Sequence, residues 1–422
     1  MSIPNFDHER LKAVLAKWLP PSAHITTPER LFGRTRKLDQ IQRAFNSSGR
    51  HVFIYGDRGV GKTSLAVTAA HLEQYASEDP VYVVCGESST FSSIMVSIGV
   101  NALPIKERME TQGSKAAFGF GVAGLGSANF TSEWKEIASF DPPRDINEAI
   151  NVIKYINTRR KGVTVIVIDE LERIKDPAEK KKIAEFVNSV SSVQDKSKFI
   201  FSGIGSTVED LLGNHPSAAR KIEAIELEKI THDQLWNIVQ SVANELGVEV
   251  AREFLLRSGI LSDGFPHYVH LIAENLFWAM HDDQKETSKT TLDHFKIAVR
   301  GALERSDVEH RSAYLQATQK TKNTIDYEMA LWALADKTET RRQISSIYED
   351  SYKKIKLQSG EGLTLNKSSL NNRLLNLRKS SHGEVVIGYG AGWFAFRENI
   401  MRGYVRLVAE TRGISLAKDV AS

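Results

Sequence analysis

Eight residues of this 422-residue chain have the types and spacing to grip a run of phosphates: Gly56-Asp57-Arg58-Gly59-Val60-Gly61-Lys62-Thr63. The glycines let backbone N–H groups converge on phosphate oxygens. Lys62 is spaced to reach the β- and γ-phosphates, and the Thr63 hydroxyl to hold Mg²⁺. Ser64 is grouped with them as a nucleotide-binding position. A second pair, Asp169-Glu170, has the chemistry to complete the reaction. Phosphoryl transfer to water needs neutralised phosphates, a metal and a positioned water. Asp169 suits the Mg²⁺ shell, and Glu170 suits the base that polarises the water. The plain alternatives are a glycine turn with a chance Lys-Thr, and acids that merely end a strand.

The flanking elements decide against both alternatives. The loop follows the apolar run Val52-Phe53-Ile54-Tyr55 and opens a helical pattern with Leu65, Ala69 and Leu72 on one face. Strand, glycine loop and helix are the context a phosphate-binding loop requires, and the helix N-terminus adds partial positive charge. Asp169 ends Val163-Thr164-Val165-Ile166-Val167-Ile168, a β-branched run expected of a strand buried on both faces. Further strands are expected at 81–85, 198–206 (a strand with its exit) and 224–228, alternating with helices. The prediction is an α/β fold of the P-loop NTPase type with a mostly parallel five-stranded sheet. Capping pairs mark helix starts at Asp145/Glu148, Thr231/Gln234 and Thr290/Asp293.

Two polar residues near later strands are further candidates. Ser206, just past the fourth strand, could hydrogen-bond the γ-phosphate or the attacking water. Arg220, before the fifth, could reach a neighbouring subunit's γ-phosphate, and Arg173 competes for that role. A turn serine and a surface arginine are the plain readings. Gly119-Phe120-Gly121-Val122-Ala123-Gly124 formally spells a dinucleotide fingerprint, but no strand precedes it and no helical period follows. It belongs to a glycine-rich insertion, 103–140, read as a surface hairpin, with an inserted element that touches a partner or a polynucleotide as the alternative.

The chain divides into an N-terminal helical segment (1–30), the nucleotide-binding core (31–229), an all-helical lid (230–305), a polar linker (306–324) and a last module (325–422). In the first, Leu11, Val14, Leu15, Trp18 and Leu19 share one helix face. The last reads helix, helix, helix, β-ribbon, the order of a winged helix-turn-helix. From Lys337 to Glu410 there are 13 Lys and Arg against 7 Asp and Glu, although the whole chain carries only +3. Asn366, Lys367, Ser368, Asn371, Asn372 and Arg373 flank the start of its third helix, types suited to phosphate and base-edge contacts. A protein-contact module is the alternative. The composition is 41% hydrophobic and 25% charged, as in soluble globular proteins. No apolar run approaches a membrane span, the N-terminus does not read as a signal peptide, and Cys85 is the single cysteine. A cytoplasmic protein is expected.

Leu31-Phe32-Gly33-Arg34 before a helix, the Gly-Lys-Thr loop, the Asp-Glu strand end and the helical lid together resemble the AAA+ ATPases. The nearest subgroup is that of origin-recognition and initiator-like ATPases, with related archaeal and STAND-type families. Gly264-Phe265-Pro266 resembles their lid motif, and Ile347-Tyr348-Glu349-Asp350-Ser351-Tyr352 the second helix of their winged-helix domain. The resemblance implies that Gly33 and Arg34 line the adenine side and that Ser206 is sensor 1. It makes Arg220 a finger acting in trans and sets His267 at sensor 2, where initiators usually carry an arginine. It implies ATP and Mg²⁺ as cofactors, and ATP hydrolysis at the subunit interface of a homo-oligomer that assembles on or remodels DNA or a DNA-bound partner. The second reading is a STAND-like nucleotide switch regulating an effector, as in antiviral defence, with recombination and replication proteins as other partners. No membrane enters either reading.

Overall fold

A computed structural model describes residues 3–20, 24–74, 78–103, 142–191, 196–205, 208, 216–320, 322–360 and 365–418. The chain forms two compact units. The first comprises His24–Gly56 and Gly61–Glu228, and the second comprises Met1–Ala23, Asp57–Val60 and Lys229–Ser422.

The first unit is built on five strands: β1 (His51–Tyr55), β2 (Val81–Val84), β3 (Thr164–Asp169), β4 (Ser197–Gly203) and β5 (Ile222–Glu226). They lie in the order β2-β3-β4-β1-β5, and every pairing is parallel. β3 and β4 are buried along their whole length, because helices cover both faces. Phe53 of β1 stacks on Phe201 of β4 with ring centroids 6.4 Å apart, and Phe201 stacks on Phe199 of its own strand at 5.9 Å. The parallel register brings the C-terminal ends of β1 and β4 together, Tyr55 opposite Gly203, and sets Val84 of β2 opposite Asp169 of β3. Ligands of open parallel sheets bind at that edge.

Helix starts follow local chemistry. Asp145 accepts from the Glu148 N–H, as a cap should, while the Glu148 carboxylate reaches back to the Arg144 N–H. Two expected caps differ. Thr231 makes no side-chain cap bond. The later helix is capped by Thr291 with His294, one residue beyond the expected Thr290/Asp293 pair. The glycine-rich insertion lies outside the described residues, Leu103 excepted.

In the second unit the N-terminal helix His8–Trp18 packs on the helix His232–Leu246, with Lys17 ion-paired to Glu245 at 2.7 Å. Helices Arg252–Ser262, Pro266–His281 and Leu292–Glu304 follow. The expected linker contains a helix, Val308–Thr318, whose His310 and Tyr314 are buried. His310, Tyr314, Ala317 and Thr318 form its buried side, while the rest of the helix is exposed or half-buried. The last module runs helix Thr324–Ala335, β6 (Arg342–Gln343), a helical stretch from Ile344 to Ser359, helix Lys367–Asn376, β7 (Val386–Gly388), β8 (Trp393–Phe396) and helix Met401–Thr411. β6, β8 and β7 form a small antiparallel sheet.

One buried charge cluster ties this unit internally. Asp263 sits in a left-handed turn (φ 52°) at the end of the helix Arg252–Ser262. Its carboxylate pairs with Lys229 at 2.6 Å, Arg402 at 2.7 Å and Arg406 at 3.1 Å. Arg406 is fully buried and spends its other donors on the carbonyls of Ala335, Ile260 and Lys337.

Candidate functional site

The phosphate loop emerges where β1 ends. Gly56 runs so close to the Leu227 carbonyl that no Cβ fits. Gly61 has φ 97°, a conformation L side chains rarely adopt, and it caps the helix Lys62–Glu73. Lys62 Nζ donates to the Gly56 carbonyl at 3.1 Å, folding the ammonium back over the loop. The helix is strapped from behind: Thr68 donates to the Ile25 carbonyl at 2.8 Å, and Ser64 Oγ accepts from the Ile25 N–H at 3.4 Å. Ser64 therefore holds the segment that leads to Gly33.

Asp169 is the hub of the site. Its side chain is buried at the end of β3 and gathers donors from two other strands, a helix and the residue that follows it. The hydroxyls of Thr63 (2.7 Å) and Tyr82 (2.8 Å) reach Oδ2, while the Ser202 hydroxyl and the Glu170 N–H (2.9 Å) reach Oδ1. Burial and the neighbouring Asp169 push the Tyr82 phenol up, so it stays a proton donor at neutral pH. Burial, with Asp169 second, also raises the Cys85 thiol to about 12, which makes it inert.

Tyr82 and Ser202 were not singled out in the sequence. Ser202 leaves a trace there, a polar residue within the apolar strand Phe199-Ile200-Phe201. Tyr82 leaves none, because its role depends on the β2–β3 register, which sets it opposite Val167, two residues short of Asp169.

Glu170 follows in a left-handed conformation (φ 59°, ψ 41°), unusual for a side-chain-bearing residue and a form of strain concentrated at functional positions. Its carboxylate pairs with Arg173 at 2.8 Å, which engages Arg173 within its own subunit. Arg34 is buried and donates to the Glu228 carbonyl at 2.7 Å. Burial lowers its guanidinium to about 10, against the opposing pull of Glu228. Gly33 beside it is left-handed, with φ 73°.

Arg220 is exposed, just before β5 begins. Ile222 pairs with His51 at the start of β1, so Arg220 stands at the sheet edge opposite the loop. The length of β1, about 13 Å at the usual rise per residue, separates the two edges. Ser206 lies outside the described residues. His267 stands in the first turn of the helix Pro266–His281, in the second unit, its ring against Tyr268.

Residues Asp57–Val60, the tip of the loop, group with the second unit. There Arg58 pairs with Glu309 at 3.1 Å and Glu398 at 3.9 Å, and Asn399 donates to Asp57 at 2.7 Å.

A cation fits the donor set. The Thr63 hydroxyl and the Asp169 carboxylate stand within hydrogen-bond distance of each other, both hard oxygen ligands. Among the described residues no group of three or more His, Cys, Asp or Glu gathers to hold a metal.

Residues 31–256, more than half of the chain, match the family described as an ATPase domain predominantly from Archaea. The chain belongs to this ATPase family. The ATPase is accordingly an ATP hydrolase on a P-loop fold. Among solved structures it is similar to a Walker-type ATPase of Pyrococcus abyssi, with 14% identity, a TM-score of 0.52, and 91% of this chain and 99% of that one covered. It also aligns with the ORC2 protein of Aeropyrum pernix in ADPNP–ADP complexes (14% identity, TM-score 0.49, 95% and 97% covered). A third is the ORC1 protein of the same organism in complex with DNA (17% identity, TM-score 0.45, 91% and 94% covered). No curated protein sequence matches the ATPase. The expected ATPase and its α/β sheet are thus borne out. No described helix of the ATPase is long and apolar enough to cross a membrane.

Proposed function

We propose that the ATPase uses ATP binding to assemble subunits on DNA and hydrolysis to release them. In this reading the loop amides and Lys62 hold the β- and γ-phosphates, and Arg34 and Gly33 border the adenine. Mg²⁺, held by Thr63 and Asp169 with the phosphates, would neutralise charge on the transferred phosphoryl group. Glu170 accepts a proton from the attacking water once its carboxylate leaves Arg173. Arg220, too far from its own loop, supplies positive charge to a neighbour's γ-phosphate.

The observation that carries the DNA half is the surface around the helix Lys367–Asn376. Lys367, Ser368 and Asn372 are exposed there, and Arg378 and Lys379 continue the basic edge just past the helix end. Two residues expected on this surface are otherwise occupied. Asn366 caps the helix by accepting from the Ser369 N–H, and Arg373 is tied to Asp326 at 2.7 Å over the Tyr327 ring. The test is anisotropy of a labelled duplex across a salt series. Contact with phosphates gives an affinity that falls steeply as salt rises. A weak response with no salt dependence refutes the DNA reading.

The loop tip favours a second reading. With Arg58 and Asp57 engaged by Glu309, Glu398 and Asn399, the ATPase would act as a switch whose C-terminal module reports the nucleotide state to a partner protein, as in a defence system. Glu309→Gln with Glu398→Gln should then speed nucleotide release several-fold. Unchanged release with intact folding removes this reading.

A further inference from the structure

The small antiparallel sheet of the last module has a face that its own core does not use. Side chains alternate across a sheet, so Arg342 and Phe394, paired in register, point inward and are 3% and 2% exposed. Gln343 and Trp393, the next pair, share the opposite face. The Tyr389 N–H bonds the Trp393 carbonyl at 3.0 Å, which continues that row onto the third strand's exit. The result is an outer face on which Trp393 is 41% and Tyr389 48% exposed. The Arg341 guanidinium lies 4.0 Å from the Tyr389 ring centroid.

This is an unusual wing. From Gly388 to Phe396 the sequence is Gly-Tyr-Gly-Ala-Gly-Trp-Phe-Ala-Phe, without a lysine or arginine. A wing that read a minor groove by electrostatics would carry cations at its tip. Here the tip is short, nothing lies within 4 Å of where a Cβ on Gly390 would stand, and the chemistry offered is ring faces and one guanidinium plane. Cations stand at its border instead: Arg378 packs against Gly388, with Lys379 beside it. Flat aromatic faces bordered by cations are the arrangement that stacks unpaired bases while the cations follow the phosphates. A duplex hides its base faces and shows only edges in its grooves.

We infer that Tyr389, Trp393 and Arg341 form a stacking platform for unpaired bases, so that the DNA taken by this module contains a single-stranded or opened segment. This rests on the DNA reading above and names its substrate class. The test uses the full chain and three labelled probes at one salt concentration: a duplex, the same duplex with an unpaired bubble, and oligo-dT. Wild type should bind the bubble and oligo-dT more tightly than the duplex. Tyr389→Ala with Trp393→Ala should weaken oligo-dT binding roughly tenfold or more, since each base–aromatic stack is lost outright, and change duplex binding less than about twofold. Tyr389→Phe with Trp393→Phe keeps ring faces and should retain the preference, which separates stacking from misfolding. Equal binding of duplex and bubble by wild type, or an unchanged preference in the alanine variant, overturns the platform and leaves the DNA reading standing, with the aromatic face then assigned to a protein partner. Failure to bind any of the three probes overturns both.

Discussion

Asp169 shows how much one carboxylate can organise. Three hydroxyls and an amide converge on it, and the donors include Thr63 at the start of the phosphate helix. The loop and β3 are thereby held in one geometry before nucleotide arrives. Glu170, next in sequence, is held by a solvent-exposed pair to Arg173, which the proposed base would have to break. Exposed pairs contribute little, so its release costs little. Glu170→Gln should therefore keep equilibrium ATP binding near wild type and lower turnover by about 10²–10⁴-fold, the usual contribution of a general base. Phosphate release measured beside nucleotide binding checks this, and undiminished turnover removes Glu170 as the base. The Gly-Lys-Thr loop and the Asp-Glu pair were legible because the motifs are contiguous and their chemistry needs no partner from elsewhere. Tyr82 and Ser202 were not, because their hydroxyls meet Asp169 only through strand register.

At the scale of elements, the sheet was readable and the helical part less so. Buried parallel strands announce themselves as apolar runs, and β1, β3 and β4 do so plainly. The helix Val308–Thr318 was hidden within a polar stretch, and the cap at Thr291 shifted by one residue because His294, rather than an acid, closes its capping box. The Asp263 cluster was invisible, since its members are up to 177 positions apart, from Lys229 to Arg406. Burial alone would raise the Asp263 carboxyl, but Arg406, Arg402 and Lys229 outweigh it and hold it below the usual range. A carboxyl depressed on folding contributes stability above its unfolded value and loses it as pH falls through the folded one. Stability of the helical unit should thus fall at strongly acid pH. Asp263→Asn leaves buried cations without their counter-charge and should cost about 3–5 kcal/mol at neutral pH, while flattening that acid dependence. Urea melts at several pH values test both. A loss under 1 kcal/mol would show that the carbonyls of Ala335, Ile260 and Lys337 suffice to hold Arg406.

At the scale of the whole molecule, the chain joins an ATPase domain on a parallel sheet to a basic terminal module, and in the proposed assembly another copy completes the active site. Arg220 stands at the wrong edge of the sheet to serve its own nucleotide, and the sequence could place it before β5 without showing which edge that was. The aromatic face of the small antiparallel sheet was not legible in the sequence for a similar reason, because Trp393 and Phe394 read alike in a string and point oppositely in a sheet. Assembly is the central claim, and the Glu170→Gln protein, which should bind ATP without consuming it, tests it most directly. Its mass, measured by light scattering after size exclusion with ATP, Mg²⁺ and duplex DNA carrying an unpaired bubble, should exceed that of one chain plus DNA, and should return to the single chain when ATP is omitted. A single-chain mass in every condition, with ATP shown to be bound, would contradict the account.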